Sequence, residues 1–326
     1  MRILLLLTFL CCMFGVQAQR PLDVQHYRFE ITLTDSSNVM TGVAYISLKL
    51  NKPADTMVFD LASVNPATNK GMQVTKVMWK DVELGWRHSN DQLRVANEAD
   101  SLGRTIAIYY KGVPGDGLII ATNKFGDRTF FADNWPNRAH NWIPCVDDPA
   151  DKASFEFIVT APLHYEVISN GVQAEETILN DRQKLTHWKE SIPLSTKIMV
   201  IGVAKFAVQY VGDTLGVPVY SWVYPQERRD AFYDYGQATE ILPFFINNIA
   251  PYPYRKLANV QSKTIFGGME NAGCIFYNEN AISGDRKNED LLTHEIAHQW
   301  FGDMASEKSF AHLWLSEGFA TYMTDL

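Results

Sequence analysis

The sequence predicts a multi-domain chain, an N-terminal antiparallel β-sandwich followed by an α+β unit. Three observations predict it. From residue 27 to about 210, short runs alternate apolar and polar residues between turn formers, the period of a half-buried strand. Beyond about 212 the pattern changes to mixed helix and strand, and the residues with metal-binding chemistry lie there. A length of 326 residues makes two units the default, since a domain takes roughly 150.

Composition bounds the function. With 46% hydrophobic and 20% charged residues the chain can bury a core and lies outside the disordered class. Its formal net charge of −8 argues against a surface that neutralises phosphates, so no nucleic-acid partner is expected.

Residues 1–18 stand apart from both units. Arg2 gives a positive start, 3–14 are apolar, and Val16-Gln17-Ala18 supplies a cleavage site, the layout of a signal peptide. The run is too short for a membrane span, which needs about 20 apolar residues. Cleavage after Ala18 leaves no transmembrane segment and an exported protein, periplasmic, envelope-associated or secreted. The sandwich then covers 19–212 and the second unit 213–326. Of the four cysteines only Cys145 and Cys274 survive cleavage. They suit either a disulfide or two small buried residues.

Within the first unit, 27–33, 44–50 and 105–110 read as strands, with Asp35-Ser36-Ser37-Asn38 and Val113-Pro114-Gly115-Asp116-Gly117 as turns. In the second, 217–224 reads as a strand. Pro225 opens a helix through 247 that Pro243 can kink. A short strand over 257–261, a glycine-rich loop over 266–273, and helices over 289–301 and from Glu317 onward complete the reading.

His294-Glu295-Ile296-Ala297-His298 is an HExxH pattern with apolar flanks. Residues four apart stand on one helix face, so both imidazoles can reach a single ion while Glu295 projects beside them. The ion expected is one Zn2+, which takes a further protein ligand and keeps a position for water. Glu317, with 18 residues between it and His298, is the candidate for that third ligand. Zinc lowers the pKa of bound water, and Glu295 can take its proton and return it to a leaving nitrogen, which suits amide hydrolysis.

Upstream, Gly267-Gly268-Met269-Glu270-Asn271 is a candidate substrate-binding loop. Glycines let backbone pass close to a ligand, and the charge of Glu270 suits the free amino terminus of a peptide.

HExxH, 18 residues and Glu, preceded by GGMEN, resembles the aminopeptidase N type of zinc metallopeptidases, which includes the leukotriene hydrolase branch. His26-Tyr27-Arg28-Phe29, Pro144-Cys145-Val146-Asp147-Asp148-Pro149, Lys152-Ala153-Ser154-Phe155 and Trp314-Leu315-Ser316-Glu317 extend the likeness across the chain. The resemblance implies a thermolysin-like second domain, zinc on His294, His298 and Glu317, catalysis by Glu295 and amine recognition by Glu270.

The likeness departs in two places. Where the family often carries Gln or Glu before an Ala-Arg pair, this chain reads Ala132-Asp133-Asn134-Trp135, which leaves Asp133 as the candidate for a second amine contact. The family's transition-state tyrosine lies several tens of residues beyond the glutamate ligand, whereas this sequence stops at Leu326. The expectation is a fragment of a longer enzyme, poorly active alone. Two rivals remain: a zinc endopeptidase with the same helix pair, and a non-catalytic peptide-binding β-sandwich protein with a relic metal site. An intact Glu295 argues against the second, because a structural zinc has no use for a general base.

Overall fold

A computed structural model describes residues 22–97 and 103–326; the predicted export signal lies outside the described residues. The first unit is built on an eight-stranded sheet in the order Val172–Ile178, Gln183–Ser195, Lys152–Pro162, Leu22–Thr32, Met40–Leu50, Gly103–Val113, Gly71–Trp79 and Val82–Glu83. It is antiparallel except at its centre. There Leu22–Thr32 runs parallel to Lys152–Pro162, with Phe29 opposite Phe157. Sequence alternation reports which face is buried but carries no strand direction, so the expectation of an all-antiparallel unit missed this pair.

A four-stranded and a three-stranded sheet cover the inner face. Leu22, Val24, Tyr27, Phe29 and Ile31 all point inward, and the irregularity between Val24 and His26 explains how odd and even positions share one face. Tyr27, Phe29, Phe157 and Trp142 form a continuous stack with centroids 5.2, 5.2 and 5.8 Å apart.

The second unit holds a five-stranded sheet, Ala207–Thr214, Val217–Val223, Leu257–Ser262, Cys274–Asn278 and Gly268–Met269. Its three inner strands are parallel, its two edges antiparallel. The boundary expected at 212 falls inside Ala207–Thr214. That strand forms a hairpin with Val217–Val223, so the chain changes sheets between Ala204 and Ala207.

Four helices follow: α1 (Arg228–Tyr235), α2 (Ala238–Asn248), α3 (Glu289–His298) and α4 (Leu313–Thr324). The helix expected over 225–247 breaks at Gly236-Gln237 instead of Pro243, which lies inside α2. The Gln237 side-chain amide donates to the Asp234 carbonyl at 2.9 Å, a local contact that satisfies a carbonyl at the end of α1. Asp234 is fully buried, and its carboxylate accepts from the backbone N–H of Ser283, Gly284 and Arg286 at 2.7, 2.9 and 3.0 Å, fixing the turn that feeds α3.

The two central parallel strands, Leu257–Ser262 and Cys274–Asn278, are buried on both faces, as parallel strands usually are, whereas the edge Ala207–Thr214 is largely exposed. Val219, Leu257, Ile275 and Tyr277 pack with the helices, whereas Trp222, Val260, Met269, Cys274 and Phe276 join the core of the first unit. Cys145 and Cys274 are both buried and no disulfide joins them. Among the described residues no helix is long and apolar enough to cross a membrane.

Candidate metal and substrate site

α3 carries Glu289 and Asp290 in its first turn, where carboxylates complement the helix dipole. Leu292, Ile296 and Ala297 bury one face in the core, which leaves His294, Glu295 and His298 toward the groove beside α4. α4 returns against it because Ser316 and Ala320 are small and buried. Gly302, at φ +122°, supplies the turn; a Cβ there would lie 2.9 Å from the Ser316 Cβ. Phe301 stacks on Phe319 at 5.3 Å and locks the helix pair.

That packing brings three donors together. His294 Nε2 and His298 Nε2 are 3.1 Å apart, and one Glu317 oxygen lies 3.4 Å and 3.5 Å from them. The edge of a tetrahedron around zinc with bonds of about 2.0–2.1 Å is about 3.3–3.4 Å, so the donor set has the span that zinc takes. His298 Nδ1 donates to the Phe301 carbonyl at 3.0 Å, which orients the ring with Nε2 toward His294 and Glu317. Two imidazole nitrogens and a carboxylate oxygen facing one point suit a cation. Hydrogen bonds from both histidines hold Glu317 well below the usual carboxylate range. Burial opposes the charge on His298, but Glu270, Glu317 and Glu295 outweigh it and push the imidazole up to about 10.

Glu295 and Glu270 lie next to His298, with ligand atoms of all three within 4.8 Å of one another. Burial pushes Glu295 up to about 8, with His298 opposing and Glu270 and Glu317 adding to it. Glu270 is 4% exposed, and its Oε1 has no hydrogen-bond partner among the described residues. A buried carboxylate oxygen without a donor is costly unless a ligand supplies one.

A cavity of about 270 Å³ joins these groups, with Trp135, Phe266, Gly267, Gly268, Met269, Glu270, Leu291, His294, Glu295, His298 and Glu317 as its walls. The two glycines of the loop differ. A Cβ on Gly268 would lie 2.2 Å from Glu295 Oε1, whereas one on Gly267 would make an ordinary 3.6 Å contact with Leu291. Asn271 is not among the walls; it is fully buried behind the loop, where its carbonyl accepts from Cys274 N–H at 2.8 Å.

Asp133 is fully buried and is not among the cavity walls. Arg138 bonds one oxygen, Thr264 Oγ1 and Ile265 N–H hold the other at 3.1 and 3.2 Å, and the residue fastens the 264–266 loop from below. Trp135 reaches the cavity from the same segment and meets Phe266 edge-on at 5.3 Å. Sequence reading also passed over Gln299, one position beyond HExxH. Its amide donates to the Glu270 carbonyl at 2.8 Å and accepts from Gly273 N–H at 2.7 Å, tying the loop to α3. The cue was available: a buried helix does not tolerate an unpaired amide.

A family model described as the Peptidase M1 N-terminal domain matches residues 23–198, and one described as the Peptidase family M1 domain matches 233–326. The chain belongs to peptidase family M1. Human glutamyl aminopeptidase is 28% identical over 339 residues, covering 91% of this M1 chain and 34% of its own. Aminopeptidase M1 of Arabidopsis thaliana is 31% identical over 204 residues, 59% of this chain and 23% of its own. This M1 chain therefore spans about a third or less of the length of the curated relatives it matches. Among solved structures, an M1 zinc metallopeptidase from Deinococcus radiodurans superposes with a TM-score of 0.77 at 21% identity, covering 94% of this chain and 70% of that one. A two-domain M1 zinc metallopeptidase mutant bound to L-tryptophan gives 0.79 at 24%, covering 94% and 71%. At such identities these likenesses speak for the fold, a strand-rich domain followed by a helix-containing one.

Proposed function

We propose that this M1 chain forms the metal and amine-binding part of an exported zinc aminopeptidase that removes first residues from peptides with a free N-terminus. His294, His298 and Glu317 would hold one Zn2+. When bound, the ion makes water acidic and polarises the carbonyl of the scissile bond. Glu295 then accepts the proton of the attacking water and delivers it to the departing nitrogen. Glu270 receives the substrate ammonium. Gly268 lets the loop backbone run directly over Glu295, and Gly267 leaves the cavity mouth open.

The observation that carries this reading is the buried Glu270 oxygen without a donor, in the same cavity as the two histidines and Glu317. An ammonium satisfies it, and a chain continuing past that point does not, which favours exo over endo cleavage. The cavity has no Lys or Arg among its described walls, while Trp135, Phe266, Met269 and Leu291 are apolar. The preferred first residue is therefore neutral and apolar, not the acidic residue named for the glutamyl relatives. The layout of residues 1–18 supports export.

The test uses matched peptides with free and acetylated N-termini, and leucine against glutamate anilides, on the whole protein. Cleavage confined to free termini with leucine preferred supports the reading. Equal cleavage of acetylated peptide, or a preference for glutamate, contradicts it.

A further inference from the structure

The sandwich reaches the metal-binding helices through a buried lysine. Lys197 and Glu307 are almost wholly shielded, with side-chain exposures of 0% and 2%, and the ammonium spans both carboxylate oxygens at 2.8 and 3.1 Å. The Glu307 carboxylate in turn accepts a short hydrogen bond from Ser316 Oγ, on the residue before Glu317. Ser316 also packs into the space that Gly302 leaves beside the His298 ring. Lys197 thus connects through two hydrogen bonds to the helix turn that presents Glu317.

The other end of the connection is rigid. Lys197 lies in the short turn Thr196–Ile198. Asn134 donates to the carbonyls of Thr196 and Met199 at 3.0 and 2.7 Å, and Asn170 to that of Ile198 at 2.9 Å. Asn170 also donates to the Ala272 carbonyl at 2.8 Å, in the loop that carries Glu270. One turn of the first unit therefore touches both halves of the site. A second lysine, Lys152, donates to the Asp303 and Met304 carbonyls at 3.1 and 2.8 Å, in the connection from α3 to α4.

A buried ion pair is a poor device for stability, because desolvation offsets most of its attraction; in some proteins such a pair serves to specify geometry. We propose that Lys197 is a positioning residue, which acts through Glu307 and Ser316 to hold the Glu317 carboxylate at the distance from His294 and His298 that a metal ion needs. The inference rests on the reading of those three residues as ligands. Its consequence is that the β-sandwich sets the metal affinity of the second unit.

The test is the Zn2+ dissociation constant of this chain by chelator competition, with the visible spectrum of its Co2+ form as a geometric readout. Outer partners of metal ligands commonly contribute about 10- to 100-fold in affinity. Lys197→Met is expected to weaken zinc by roughly that factor and change the Co2+ spectrum. Ser316→Ala breaks the link without burying an unpaired charge, so it remains informative where Lys197→Met does not fold; it is expected to weaken zinc about 10-fold. Combining the two should cost no more than Lys197→Met alone, as in a series connection. Zinc affinity within about twofold of the wild type in Ser316→Ala, or additive losses, would overturn the proposal. Failure of the wild-type chain to bind zinc would instead overturn the ligand assignment on which it rests.

Discussion

Glu295 and Gly268 are the residues on which the proposed chemistry turns. In the proposed reading Glu295 touches the reacting groups without belonging to the ligand triad, so Glu295→Ala should lower kcat by about 10²- to 10⁴-fold while zinc stoichiometry stays at one. Zinc lost together with activity would mean that Glu295 is itself a ligand. Gly268→Ala places a methyl on the Glu295 carboxylate, and the side chain must leave its position. The expected result is a fall in kcat of at least about tenfold, with the zinc dissociation constant unchanged, whereas Gly267→Ala should behave like the wild type. Equal effects at both glycines would show that general loop flexibility is what matters.

At the scale of elements, the return of α4 onto α3 converts two helices into one site. Gly302 is the pivot: its φ of +122° disfavours any side chain, and a Cβ would meet both Ser316 and His298. Gly302→Ala should therefore destabilise the chain by roughly 1–3 kcal/mol and weaken zinc, read by chemical denaturation with and without the metal. A loss of stability with zinc affinity retained would uncouple the turn from the site.

A second element carries a pH dependence. Asp147 accepts from His140 at 2.7 Å and from Thr196 Oγ1 at 2.8 Å, which links the 139–147 segment to the turn that holds Lys197. Burial works against a charge on His140, but the hydrogen bond and charge of Asp147 outweigh it and raise its pKa above 6.5. A raised folded value means that this stabilisation is complete below about 6.5 and fades as pH climbs through the folded value. His140→Gln should thus cost most in acid, and its urea midpoint should approach that of the wild type as pH rises. A gap that widens with pH contradicts the assignment.

For the whole molecule, the division of labour was legible in sequence where periodicity and spacing carry it. The change from alternating strands to helices, and the separation of His294, His298 and Glu317, depend on local repeat and chain length alone. What escaped reading depends on contacts between distant segments. The parallel pairing of Leu22–Thr32 with Lys152–Pro162 joins strands more than a hundred residues apart. Asp133 looked available because its partners Thr264 and Ile265 lie in the other unit. Lys197 reads as a lone cation in a strand-rich region until Glu307 comes to meet it. The same holds for the boundary near 212, since the sheet that Ala207–Thr214 joins is set by its pairing with Val217–Val223.

The central claim is that His294, His298 and Glu317 hold the ion while Glu295 stays outside its ligand set. Two overlapping groups of donors could compete for it, that triad and the set of Glu270, Glu295 and His298. Anomalous diffraction at the zinc edge from crystals of the zinc-loaded chain separates them. The account predicts one peak between the two Nε2 atoms and the Glu317 carboxylate. A peak seated on Glu270 and Glu295 would make the general base a ligand and contradict it.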